Sequence, residues 1–334
     1  NLSAINNNLA IYRKQLPTKT KVMAMVKAFS YGSGSYEIAK QLENNQIDYL
    51  AVAYADEGVE LRQAGITTPI MVMCPERNSF DTIIKNNLEP EIYSIEILQE
   101  LLNQIELYYT DSVHLPIRIH LELETGMNRL GFDVHQLEAL ANLLQTHASQ
   151  IKVASIFSHL AASESADFDA FTKEQIARFE SMSSFILQHC PYPVLRHILN
   201  SGGIVRHPEA VYDMVRLGIG LYGVDKNLEL ENVTTLKTTI SQIKNLKKGD
   251  LIYITSPAKA IEAEHVEFAK TFFESAGFKV QISKNCLGQF NYFSGTDQER
   301  LLDFQEGIDH PETKAIVCAR GGYGCVRILD HLQW

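Results

Sequence analysis

Short apolar runs recur along the first two thirds of the chain, separated by stretches in which apolar positions return every three or four residues. Runs too short for a helix and bounded by polar or turn-forming residues read as buried strands, and the intervening period is that of amphipathic helices. The runs predict strands at residues 22–26, 49–54, 70–73, 91–93, 117–121, 153–157, 195–199 and 213–216. Helices are expected at 36–42, 56–64, 95–104, 134–146 and 171–188. Eight strands alternating with helices imply an α/β fold of the (β/α)8 TIM-barrel type. A doubly wound sheet would need fewer strands and a glycine-rich nucleotide loop after the first one.

The rhythm changes after Gly223. Residues 228–243 alternate weakly, as a strand entering a β-rich domain would. A different pattern starts at Leu246–Asp250, with strands at 251–255, 278–282 and 315–319, helices at 265–276 and 296–307, and a glycine loop at 321–324. The expected organisation is a barrel over 1–223, a connecting remnant over 224–250, and a smaller, incomplete α/β domain over 251–334.

Composition narrows the function classes. An apolar share of 45% and a charged share of 21% belong to a folded, soluble chain. The formal charge of −10 argues against nucleic acid as a partner, since phosphate binding needs excess Lys and Arg. No apolar run is long enough to span a bilayer, and the polar N-terminal residues do not resemble a signal peptide. Cys74, Cys190, Cys286, Cys318 and Cys325 are scattered without a CxxC pair, so free thiols in a reducing cytoplasm are expected, with no metal site.

Barrel chemistry sits at the C-terminal rim, so the informative residues are those at strand ends. Lys27 follows the first predicted strand; desolvation there favours a nucleophilic amine able to form a Schiff base. Arg129 follows strand five, His159 strand six and Ser201 strand seven, and Arg216 ends strand eight. Loops after strands seven and eight commonly hold a phosphate. Ser201 and the backbone N–H groups of Gly218 and Ile219 are candidates for that task, glycine letting the backbone approach an anion closely.

The segment AMVKAFSYGSGSYEIA resembles the cofactor-lysine motif of alanine racemases. HLELETGMNRLGF, FSHLAASE, LNSGG and VRLGIGLYG match that family's later blocks in order, over essentially all of residues 1–245. The resemblance implies a pyridoxal 5′-phosphate enzyme that interconverts L- and D-alanine for peptidoglycan synthesis and forms a homodimer. By it, Lys27 binds the cofactor and acts as one of two acid–bases, while Tyr31, Ser201, Gly218 and Ile219 hold the phosphate. Arg129 is then placed on the cofactor's phenolic oxygen, and His159 beside the ring and bonded to Arg216. Arg216, a permanent donor, would face the pyridine nitrogen and keep it unprotonated, a weaker electron sink that limits transamination. One position departs: Glu122 stands where many racemases carry a carbamylated lysine, which keeps the negative charge on a shorter arm.

In the family the second acid–base is a tyrosine of a C-terminal β-domain. Here ITSPAKAIEAEHVEFAKTFFESAGFKV, SGTDQERLLDFQ and KAIVCARGGYGCVRILD instead resemble the N-terminal half of LD-carboxypeptidases, serine peptidases that trim murein tetrapeptides. Both families present an L-x-K-G-D stretch where these two parts meet, which implies a joined reading frame. That family's Ser–Glu–His triad has no counterpart here, and Ser256, preceding Pro257, reads as a polar loop residue. The expectation is a racemase impaired by the missing tyrosine. The alternatives are a cofactor-binding module without turnover or a fragment of a murein carboxypeptidase.

Overall fold

A computed structural model describes residues 1–109, 115–225, 228–235, 237–240 and 242–333. The chain divides into two compact units, Asn1–Leu236 and Lys237–Trp334.

The first unit is a barrel of eight parallel strands. They are β1 (Lys21–Met25), β2 (Tyr49–Val52), β3 (Ile70–Val72), β4 (Glu89–Ile92), β5 (Ile117–Glu122), β6 (Ile151–Phe157), β7 (Leu195–His197) and β8 (Met214–Leu217). Hydrogen bonding runs in the order β7-β6-β5-β4-β3-β2-β1-β8. Backbone bonds from Asp213 N to Arg196 O (3.1 Å) and from Arg216 N to Leu199 O (3.0 Å) join the two ends. Helices Ser35–Asn44, Ala55–Gln63, Ile95–Tyr108, Leu137–Thr146 and Asp169–Leu187 lie near the expected segments. Three further helices are Leu2–Lys14, Phe80–Lys85 and Ser201–Arg206.

Strand alternation sorts side chains into two cores. Val22, Ala24 and Val26 join the large cluster beneath the helices, whereas Met23, Met25, Tyr49, Ala51, Met71, Met73, Phe157 and Met214 form a separate one. Buried polar groups on the strands are unusually many: Glu89, Glu91, His120, Glu122, Ser155, His197 and Arg216.

The strand expected at 228–243 is absent among the described residues. Leu228 and Leu230 pack on the barrel core and Val233 is buried in it, so these apolar positions are used without a ladder. Asn8 secures the segment, its side chain donating to Glu231 O (2.8 Å) and accepting from Glu231 N (2.8 Å). Ile240 and Ile243 are exposed, and with no neighbouring strand to satisfy its backbone the weak alternation does not produce a strand.

The second unit has three parallel strands, β9 (Leu251–Thr255), β10 (Lys279–Ile282) and β11 (Thr313–Cys318), in the order β10-β9-β11. Central β9 is buried throughout, and helices Ala263–Ser275 and Asp297–Asp309 connect it. The SGTDQER segment has a structural use here. Thr296 caps the second helix, and buried Arg300 donates to the carbonyls of Pro257 (2.6 Å), Gly324 (3.0 Å) and Gly295 (3.2 Å). Among the described residues no helix is long and apolar enough to cross a membrane.

Candidate active site at the barrel rim

Lys27 follows β1 and buried Val26, and the chain then turns in an unusual sense. Ala28, Phe29, Ser30 and Tyr31 all have φ between 52° and 54°, a left-handed turn made without glycine. Such backbone is disfavoured by roughly 1–2 kcal/mol per residue, so surrounding contacts must hold it. They do. Glu57 accepts from Ala28 N (2.6 Å) and, with its other oxygen, from Ala53 N (2.6 Å). Tyr222 donates to Met25 O (2.9 Å) and meets the Tyr31 ring edge-on at 4.9 Å.

The loops after β7 and β8 meet at Ser201. Asn200 caps the short helix that Ser201 opens by accepting from Gly203 N (2.9 Å). The Ser201 hydroxyl accepts from Gly218 N (3.0 Å) and Gly220 N (3.3 Å). The backbone donors on Ser201 are thus those of Gly218 and Gly220, while the Ile219 side chain is exposed. A Cβ at Gly218 would lie 3.3 Å from the Tyr31 hydroxyl, 3.8 Å from Met25 and 4.0 Å from Ser201 Oγ. At Gly220 it would lie 2.0 Å from the Tyr12 hydroxyl, so only glycine fits.

Arg216 is buried at the end of β8. Its guanidinium donates to His197 Nδ1 (2.7 Å), Ser158 O (2.6 Å) and Ile198 O (3.3 Å), approaches His159 Nδ1 at 3.5 Å and lies over the Phe157 ring. Burial lowers its pKa to about 10, against the pull of Glu122 and Glu91, so it remains a cation at neutral pH. His159 is driven down to about 3, first by burial and then by the positive charges of Arg216, Arg129 and Lys27. Three cations therefore bear on one neutral imidazole.

Arg129 comes within 3.9 Å of Glu122, beyond hydrogen-bond length. This gap fits the short reach of a glutamate. Glu91 shares the interior face of the barrel with Glu122, because it pairs in register with His120, two residues before Glu122. Its carboxyl is held well above the ordinary range, mainly by burial and then by the facing Glu122.

The fold thus brings Tyr31, Ser201 and Gly218 together, sets His159 on Arg216, and places Arg129 near Glu122. Sequence reasoning missed Glu57, Tyr12, Tyr222, Glu91 and His197. A charge inside the EPEIY run was the only local signal for Glu91; the others depend on contacts distant in sequence. A cavity of about 530 Å³ lined by Tyr54, Cys74, Arg77, Tyr93 and neighbours lies on the loops after β2–β4, and none of the eight sequence-derived site residues lines it. In the second unit, Ser256 is buried with its hydroxyl 3.3 Å from Cys286 Sγ.

A parallel eight-stranded barrel with a lysine after its first strand, and a serine and glycines meeting in the loops after its last two, defines a TIM-barrel protein. Residues 1–226 match the family described as alanine racemase, N-terminal domain, and residues 252–334 match the LD-carboxypeptidase N-terminal domain. The chain belongs to the alanine racemase family, which is pyridoxal-phosphate-dependent, and a segment of LD-carboxypeptidase type follows the barrel.

Alanine racemase 2 of Oceanobacillus iheyensis is 32% identical, the match covering 72% of this chain and 59% of that protein. The alanine racemase of Synechocystis sp. is 34% identical across 98% of this chain and 90% of its own length. Among solved structures, the alanine racemase of Clostridium difficile 630 superposes with a TM-score of 0.61 at 29% identity, covering 68% of this chain and 58% of that one. The Bacillus anthracis alanine racemase, solved with bound L-Ala-P, gives 0.67 at 25% identity, covering 78% and 66%. The chain spans less than two thirds of the length of the first, third and fourth of these proteins.

Proposed function

We propose that this chain binds pyridoxal 5′-phosphate at the rim of its barrel and acts on alanine there, as an alanine racemase impaired in inversion. The observation that carries the reading is the convergence of the Tyr31–Ser201–Gly218 cradle with the Arg216–His159 pair on the barrel end that Lys27 occupies. The cradle has the donor chemistry a phosphate needs: two hydroxyls and backbone N–H groups, with no side chain at Gly218 to fill the space.

When bound, pyridoxal phosphate supplies an electron sink that acidifies the α-hydrogen of an amino acid. The chain's own residues do the rest. The Lys27 amine would hold the cofactor and carry the Cα proton on one face. Tyr31, Ser201 and the N–H groups of Gly218 and Ile219 would bind the phosphate, Ser201 being the acceptor on which Gly218 N–H and Gly220 N–H now rest. Arg129 would orient the phenolic edge of the ring, with Glu122 supplying the anion near Arg129. Arg216 would donate to the pyridine nitrogen, and neutral His159 would pack beside the ring.

No residue of this chain is assigned to the opposite face, because residues 252–334 match the LD-carboxypeptidase N-terminal domain. Proton exchange should therefore outpace inversion. A homodimer, a cytoplasmic location and a role in supplying D-alanine to peptidoglycan belong to the same reading. A peptidase reading is disfavoured by the buried Ser256 hydroxyl.

The test is titration with pyridoxal 5′-phosphate, followed by borohydride reduction and peptide mapping. Label on Lys27, lost in Lys27→Ala, is expected. Incubation of each alanine enantiomer in deuterated water should then show α-hydrogen exchange with little inversion. Exchange without any inversion would leave a one-base remnant, whereas rapid full racemisation would overturn the impaired reading. Cofactor binding that survives unchanged in Lys27→Ala would overturn the site.

A further inference from the structure

TIM-barrel interiors are usually packed with branched apolar side chains in layers. Here a continuous polar chain runs through that space. Arg216 Nη1 meets His197 Nδ1 at 2.7 Å, His197 Nε2 meets Ser155 Oγ at 2.9 Å, and Ser155 Oγ meets His120 Nδ1 at 2.7 Å. His120 Nε2 then meets Glu89 Oε2 at 2.9 Å. His197, Ser155 and His120 are completely buried. At the far end Arg118 donates to Glu89 (2.7 Å) and to the Tyr49 hydroxyl (2.6 Å), its side chain 47% exposed. The parallel strands start where Glu89 and Arg118 sit, so this end of the chain is opposite the rim that carries Lys27.

The two ends fix the direction of every link. Arg216 can only donate, and an ionised Glu89 can only accept. His120 must therefore carry its proton on Nε2, which leaves Nδ1 to accept from the Ser155 hydroxyl. Ser155 in turn accepts from His197 Nε2–H, leaving His197 Nδ1 free to accept from Arg216. No link is frustrated. A register shift makes this geometry: β5 and β6 pair Ile119 with Val153 but His120 with Ser155, so Ala154 is an extra residue that swings Ser155 inward.

We infer that Glu89 and His120 are positioning residues for Arg216: through the one-directional chain Arg216→His197→Ser155→His120→Glu89 they set its hydrogen bonding from the opposite end of the barrel. The consequence for catalysis rests on the proposed function, in which Arg216 faces the pyridine nitrogen. With Nη1 anchored by His197 and Nη2 by two backbone carbonyls, the guanidinium has one orientation. Polarisation along the chain strengthens each of its links, the Arg216–His197 bond included, and so tunes the charge left on the guanidinium. Glu89 stays ionised despite its burial, because His120 and Arg118 outweigh the desolvation. His197 stays neutral, disfavoured as a cation first by burial and then by Arg216.

The experiment is nitrogen-15 histidine NMR on the full chain without cofactor, then with nitrogen-15-labelled pyridoxal phosphate. His197 and His120 should both be Nε2–H tautomers with slowly exchanging, downfield N–H protons. Ser155→Ala should move the His197 proton upfield and speed its exchange, and Ser155→Thr, which keeps the hydroxyl, should restore both. In the loaded protein, Glu89→Gln should shift the ring-nitrogen signal of the cofactor and weaken its binding severalfold, a change that a purely structural role would not impose on that signal. A wild-type His197 found as the Nδ1–H tautomer, a His197 proton indifferent to Ser155→Ala, or a ring-nitrogen signal unmoved in Glu89→Gln would overturn the inference. If the histidine signals behave as expected but no cofactor binds, the active-site reading fails while the chain itself stands.

Discussion

Glu57, at the start of the helix after β2, accepts the backbone N–H of Ala28, the residue that follows Lys27, at 2.6 Å. Its second oxygen accepts from Ala53 N at the same distance. One carboxylate thus ties the left-handed turn behind Lys27 to the end of the neighbouring strand. Hydrogen bonds to a charged group are worth about 1.5–3 kcal/mol in favourable settings, less where solvent reaches them. Glu57→Ala should destabilise the fold by about 1–2 kcal/mol in urea unfolding and weaken pyridoxal-phosphate binding about tenfold, since the turn then has a disfavoured backbone without its anchor. Glu57→Gln, which keeps one acceptor, should fall between the two. An unchanged cofactor affinity in Glu57→Ala would dissociate the turn from the site.

His159 is expected to make stability depend on pH in the acid range. Its folded pKa of about 3 lies below the ordinary histidine value, so the unfolded chain binds the extra proton first. The stability is therefore fully present above about pH 6.5 and is lost as pH falls toward 3, at up to roughly 1.4 kcal/mol per pH unit. His159→Asn cannot take that proton and should show a shallower decline between these limits in equilibrium unfolding. An identical slope in the variant would mean that the imidazole is solvated.

Glu91 acts in the opposite sense. Its carboxyl is pushed well above the ordinary range by burial and by Glu122, so the folded chain keeps a proton that the unfolded chain releases near pH 4.3. Stability from this group is complete below that pH and is lost as pH rises through the folded value. Glu91→Gln, a neutral mimic of the protonated acid, should match the parent near pH 4 and exceed its urea midpoint at pH 7 to 8. A lower midpoint at pH 8 would show that the charged form is used.

Arg300 joins three loops of the second unit through the carbonyls of Pro257, Gly295 and Gly324. Arg300→Ala leaves these groups without a donor in a buried setting and should cost about 2–4 kcal/mol. Limited proteolysis is the suitable readout: cleavage within residues 252–333 should accelerate several-fold while the barrel resists. Equal rates in parent and variant would contradict the structural use of the SGTDQER segment.

The elements of the barrel were legible because they rest on local patterning. Short apolar runs and the helical period between them specify buried strands and their covering helices, and alternation of the two leaves a parallel sheet as the economical arrangement. Leu2–Lys14 escaped because its buried face mixes Ile5 and Leu9 with Asn8, a polar residue whose partners, Leu221 and Glu231, lie at the other end of the unit. Residues 228–243 misled for the converse reason: weak alternation was present, but among the described residues no strand lies beside them to complete a ladder.

By itself the sequence determined the strand sequence of the barrel, the family motifs and the change of character near Asp250. These follow from the order and periodicity of neighbouring residues. Only the tertiary structure decided that Glu57 would anchor the turn after Lys27 and that Gly220 would have to remain glycine against Tyr12. It alone decided that one extra residue in β6 would bring Ser155 between His120 and His197. Each of these depends on groups separated by dozens or hundreds of residues, whose meeting is set by barrel closure and strand register rather than by local propensity.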